Sequence, residues 1–214
     1  MDQLDVLKKE WQSREHEYPQ LTYGNIHQML LKKSSSMVKW IFFISIGELL
    51  LWTLLAFLVP ESSKQITAEM GLKTIFFVIN AINYSVFAIF IYLFYKNYKA
   101  ITVTDTVKDL MAKILKTRRT VRHFVMYNIG AAALLMVGVN IFYYLNKDKL
   151  FEVLQQQELY SAIPAETFAT SFFIAQFIVG VLLIGFLLLF YWLVYGILLR
   201  RLKRNYKELK KIEV

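Results

Sequence analysis

Residues 40–60 read WIFFISIGELLLWTLLAFLVP, an apolar run interrupted by a single charge, Glu48. A helix of roughly 20 apolar residues crosses the hydrocarbon of a bilayer, so this run predicts a membrane-spanning helix at residues 38–59. Residues 74–95, 124–146 and 167–199 are three further runs, all free of charge. The last is longer than one straight crossing requires. Its opening, TFATSFFIAQ, is more polar than its remainder, which places the fourth span at 177–199 behind a helical lead-in at 168–176. The runs are continuously apolar instead of alternating, so helices are predicted and barrel strands are not.

Composition agrees with that reading. The 214 residues are 57% hydrophobic and 19% charged, too apolar for an ordinary soluble domain. The expected fold is therefore an all-α polytopic membrane protein with four transmembrane helices. Zero cysteines exclude disulfide frameworks, thiolate zinc sites and cysteine nucleophiles. His16, His27 and His123 share no metal-ligand spacing, and no phosphate-binding glycine loop, GxSxG or HExxH motif occurs. No metal, cofactor or enzymatic activity is expected.

Orientation follows from the lysines and arginines. The segment through Lys39 carries six, residues 96–122 carry eight and the tail from Arg200 carries seven, whereas the two other loops hold only Lys64, Lys73, Lys147 and Lys149. This bias predicts cytoplasmic termini and a cytoplasmic middle loop. The net charge of +9 is then mainly a topology signal and an attraction to anionic lipid head groups, with a docking patch for an acidic partner as the alternative use. Nucleic acid is not an expected partner, since no recognition motif accompanies the charge. No cleavable signal peptide is expected either; the first span would act as its own insertion signal. Trp40, Tyr95, Tyr98, Tyr191, Trp192 and Tyr195 read as interfacial anchors on the cytoplasmic side, and Phe142, Tyr143 and Tyr144 on the other.

Outside the spans the pattern is helical. Residues 1–37 predict amphipathic helices: Leu4, Leu7 and Trp11 mark the first, Pro19 breaks it, and Thr22 or Asn25 caps a second. Ser34, Ser35 and Ser36 read as a polar interfacial hinge before the first span. In the loop 96–123, Val103, Val107, Leu110, Ile114, Val121 and Val125 form a heptad-like stripe that Asp105 can cap. A continuous helix from Asp105 to Leu145 would be roughly 60 Å long and must protrude from the membrane. Leu198, Leu202, Tyr206, Leu209 and Ile212 give the basic tail 200–214 a similar stripe, so cytoplasmic helical extensions are expected to pack together; a homo-oligomeric coiled coil is the alternative. On the opposite side, Gly71 breaks the loop 61–73, and Leu150, Phe151, Leu154 and Leu159 predict an amphipathic turn or two.

Glu48 lies near the middle of the first span, where a charge is costly, and an intramembrane carboxyl is a functional candidate by default. Counted from span midpoints, Asn83 lies at a comparable depth and Asn80 one turn nearer the outer side, so either is a candidate hydrogen-bond partner; Asn128, Asn140 and Gln176 lie further from that level. In the first reading Glu48 is a neutral carboxyl that pins neighbouring helices. In the second it carries a proton or cation during transport. Gly47 offers room for another backbone beside the carboxyl. Gly130, Ala131, Ala132, Ala133 and Gly138 predict a closely packed helix surface, while Gly180 and Gly185 lack GxxxG spacing.

MDQLDVLKKEWQ at the start, IHQMLLKKSSSMVKWIFFISIGELLLW at 26–52 and the four-span layout resemble an uncharacterised group of small inner-membrane proteins of flavobacteria and related bacteria. Members are sometimes labelled beta-carotene monooxygenases. The resemblance implies a bacterial inner (plasma) membrane location and carries over no catalytic residue; histidine-ligated iron needs more histidines than the three present. The amino-terminal helices also resemble those of membrane anti-sigma factors, which implies a regulator that holds a cytoplasmic protein. The leading functional expectation is an accessory or signalling scaffold whose basic cytoplasmic face binds lipid or protein. A small proton- or cation-coupled transporter using Glu48 is the alternative.

Overall fold

A computed structural model describes residues 23–102, 104–156 and 165–213. They form six helices with no strand among the described residues: α1 (Tyr23–Phe57), α2 (Glu61–Glu69), α3 (Lys73–Ala100), α4 (Val107–Leu145), α5 (Lys147–Gln155) and α6 (Ala165–Glu213). Four of them, α1, α3, α4 and α6, are long and apolar enough to cross a membrane. The protein is an all-α polytopic membrane protein. The expected helix around Leu4, Leu7 and Trp11, its break at Pro19, the cap at Thr22, and His16, Val103 and Leu159 lie outside the described residues.

The four long helices run alternately up and down and pack in a ring in the order α1, α3, α4, α6 and back to α1, with a smaller diagonal contact between α1 and α4. Several large apolar side chains along α6, among them Leu182, Phe186 and Leu189, are more than half exposed. A face so apolar is covered by lipid in a spanning helix. Pro60 disfavours helical geometry at Val59, and α1 ends two residues earlier at Phe57. Gly71 adopts φ 79°, which lets the chain leave α2 and enter α3 through a tight reversal.

Two apolar clusters hold the bundle. The larger occupies the end where α1 begins, α3 passes into α4 and α6 finishes. Val38, Ile41, Phe94, Leu110, Ile114, Val121, Phe124, Leu202 and Leu209 are inaccessible there. The expected stripes on the middle loop and the tail thus face one another, and α4 and α6, ~58 Å and ~73 Å long, run on well past a ~30 Å hydrocarbon layer as one packed extension. The smaller cluster lies at the opposite end, where Leu150, Val153 and Leu154 of α5 meet Met70, Leu72 and Phe168. The amphipathic turn expected at Leu150 and Leu154 therefore packs inward on the bundle.

Three local expectations change. The serine segment is no hinge: α1 is continuous through it, and fully buried Ser34 accepts a hydrogen bond from Asn205 Nδ2 of α6 at 3.2 Å. Burial against α6 supplies the partner that solvent would otherwise provide. Asp105 does not cap α4. Thr106 does, accepting from the Asp109 amide at 3.2 Å, while the Asp105 carboxylate closes the preceding turn by accepting from the Thr102 amide and hydroxyl and from Lys113 Nζ at 2.5 Å. Burial pushes the Asp105 carboxyl up, but the Lys113 ammonium and the two Thr102 donors outweigh it and hold it below the ordinary carboxylate range. Finally, Gly47 faces open space, so no second backbone approaches Glu48 there.

Candidate functional site: an intramembrane carboxyl beside a cavity

Tyr191 and Tyr195 stand one turn apart on α6, so their side chains leave the same face of the helix. That face meets α1 at Glu48, which is 3% exposed. Tyr191 donates to Glu48 Oε1, and Tyr195 donates to Oε2 at 2.9 Å. A buried carboxyl without donors costs several kcal/mol; here the donors offset that cost and tie the first span to the last.

An aromatic hub supports the two tyrosines. Phe124 of α4 is inaccessible and meets Phe87, Phe90 and Phe94 of α3 and Tyr191 and Tyr195 of α6, with ring centroids 5.2 to 6.3 Å apart and mostly edge-on. Edge-to-face pairs add electrostatic attraction to burial and restrict where the rings sit. Tyr191 and Tyr195 are accordingly interior residues, 3% and 1% exposed, and not interfacial anchors. Their spacing of four, matched by one intramembrane acid, is the sequence signal that marks them. Trp192 between them is 55% exposed, with Arg200 over its ring at 5.0 Å.

The asparagines expected near Glu48 lie elsewhere. Ring contact between Phe42 and Tyr95 (5.7 Å) and the Thr53 to Tyr84 hydroxyl hydrogen bond (3.4 Å) set the antiparallel register of α1 and α3. In that register Glu48 is level with Ile89. Asn83 is then ~9 Å and Asn80 ~13 Å further along the bundle axis. Span midpoints mislead here because α1 and α3 are offset by packing. Asn83 Oδ1 instead accepts from Tyr127 Oη at 3.3 Å, and Asn80 makes no hydrogen bond to a described residue. Asn128 and Asn140 each donate to the backbone carbonyl four residues earlier, at 2.9 Å.

Both Asn80 and Asn83 line a partly open cavity of about 730 Å³ between α1, α3, α4 and α6. Its floor is Phe87, Tyr127 and Tyr191, so the Glu48 pair adjoins it through Tyr191. Its roof is Leu72, Phe76 and Phe142, which also belong to or pack on the smaller cluster. The small residues of α4 are part of the reason that it exists. Ala131, Ala132 and Gly138 line it, and Gly130 and Gly138 have no neighbour within 4 Å of a built Cβ. The expected close approach at these residues is replaced by open volume. A close approach occurs at Gly180, where an added Cβ would lie 2.1 Å from Met136 Cε, while Gly185 is open.

Among the described residues no cluster of three or more metal-ligating side chains occurs. A family model described as a domain of unknown function, DUF8845, matches residues 24–214. No curated protein and no solved structure matches the chain.

Proposed function

The chain belongs to the DUF8845 family, which assigns no activity, and we propose from its architecture that it is a non-enzymatic accessory or signalling scaffold of the bacterial inner membrane. In this reading the protein is multi-pass with both termini cytoplasmic, and its basic helical extension binds acidic surfaces: anionic lipid head groups or an acidic protein partner. One observation carries the proposal. The segments 24–39, 96–122 and 200–211 lie at one end of the bundle, share a dry core and present sixteen exposed lysines and arginines against Asp109 and Glu208. A rigid extension so unevenly charged attracts acidic surfaces over the Debye length, and the attraction weakens with salt.

The test places photo-crosslinking side chains at exposed Lys116, Arg119 and Lys207 of the full chain in native membranes. Adducts with a protein or with anionic lipid are expected, and they fall severalfold at high salt. Adducts indifferent to salt and to charge reversal at neighbouring lysines would overturn the proposal.

Transport at Glu48 is the second reading, and the geometry favours a latch over a carrier. Both carboxyl oxygens are engaged by tyrosine hydroxyls. Proton- or cation-coupled flux in liposomes that vanishes in Glu48→Gln would reverse this order.

A further inference from the structure

The cavity holds more polar groups than the protein itself satisfies. Asn80 is exposed on the open side of the cavity and has no hydrogen bond to a described residue; the half-buried Asn83 uses its oxygen on Tyr127 and the half-buried Asn128 its amide on the Phe124 carbonyl, which leaves the Asn83 amide and the Asn128 oxygen without partners among the described residues. All three carboxamides belong to helices that span the membrane. Within a hydrocarbon layer an unsatisfied amide costs several kcal/mol, and lipid tails cannot relieve it. The lining carries no lysine, arginine, aspartate or glutamate. Carboxamides and phenols offer both donors and acceptors but no counter-charge, so they fit a neutral head and discriminate against a phosphate or carboxylate.

The rest of the lining specifies the body of the ligand. Leu49, Ile79, Leu135, Val139 and Leu187 make the cavity predominantly apolar, and its volume lies within the range of roughly 300 to 1,000 Å³ that holds a compact organic ligand. Access is sideways from the lipid. Lining residues Ile75 and Ile82 of α3 and Leu134 of α4 are at least half exposed, and the α3 to α4 hydrogen bonds, Asn97 to Thr120 and Tyr127 to Asn83, stop below this level.

We propose that the cavity binds a neutral, lipid-soluble molecule bearing a hydroxyl or carbonyl head, held by the carboxamides of Asn80, Asn83 and Asn128. The site is independent of the scaffold reading. Three photoactivatable probes of equal chain length, a long-chain alcohol, the corresponding alkane and the corresponding fatty acid, are presented to the full-length protein in phosphatidylcholine nanodiscs. The alcohol is expected to label peptides within 72–87 and 127–139 in preference to the other two. Asn80→Leu, which breaks no hydrogen bond to a described residue, reduces that labelling by about threefold to tenfold, the worth of one hydrogen bond. Ala132→Phe, which puts a bulky ring into the cavity beside the carboxamides, weakens it further, and Leu182→Phe on the lipid face leaves it unchanged. Thermal unfolding of each variant in detergent checks that it is folded. Equal labelling by the alkane, stronger labelling by the fatty acid, or labelling indifferent to Asn80→Leu and Ala132→Phe would overturn the proposal, as would the absence of labelling because water alone fills the cavity.

Discussion

The two halves of this bundle are built from similar residues and packed differently. In the half that carries the basic extension, Phe124, Phe94, Ile114 and Leu202 are inaccessible, and polar groups meet across helices: Glu48 with Tyr191 and Tyr195, and Ser34 with Asn205, whose Oδ1 has no partner among the described residues. In the other half a cavity lined by all four long helices intervenes before the short helices α2 and α5 close the end. The difference lies in side-chain volume. Phenylalanines fill the space between α3, α4 and α6 on one side, and α4 offers Gly130, Ala131, Ala132 and Gly138 on the other. Dense packing makes a rigid mount for the extension; open packing leaves room for a ligand.

The sharpest test of the contrast is a pair of truncations on one helix. Phe124→Ala removes the hub and is expected to cost about 4 kcal/mol in detergent unfolding, whereas Leu135→Ala at the cavity wall costs under about 1 kcal/mol. Comparable losses would mean that the two halves are equally packed. Next comes the latch. Glu48→Ala leaves two buried hydroxyls without an acceptor and is expected to cost about 3 kcal/mol, while Glu48→Gln keeps one acceptor and costs about 1 kcal/mol. Equal effects of the two would show that the carboxyl contributes packing and not hydrogen bonds.

The smallest effect belongs to the turn between α3 and α4. Because its native environment holds Asp105 below the ordinary carboxylate range, the stabilisation by Lys113 and Thr102 is present above about pH 4 and is lost as pH falls through the lower native value. Lys113 is partly exposed, so Asp105→Asn is expected to cost under about 1 kcal/mol at neutral pH. The gap between variant and wild type in thermal unfolding narrows on acidification below about pH 4. A gap that stays constant into strong acid would remove the carboxylate charge from the account.

Much of the fold is legible in the sequence because lipid imposes a rule that needs no tertiary information. Runs such as 74–95 must be helical, since every backbone group has to be satisfied within its own segment. The stripes Leu110, Ile114, Val121 and Leu202, Leu209 show their inward faces by periodicity alone, and both are buried as expected. The site was half legible. Glu48 stands out as an acid in an apolar run, but its partners Tyr191 and Tyr195 lie more than 140 residues away and look like interfacial anchors until the pairing of α1 with α6 is known.

By itself, then, the sequence determined the number of spans, the helical class and the inward faces of the extensions, because each depends on hydropathy and period within one segment. Only the tertiary structure decided which polar groups meet. Register between antiparallel helices is set by how their side chains interdigitate, and it moved Asn80 and Asn83 away from Glu48 and into the wall of a cavity. The same interdigitation decided that the small residues of α4 border open volume, a property of the space between helices that no single segment encodes.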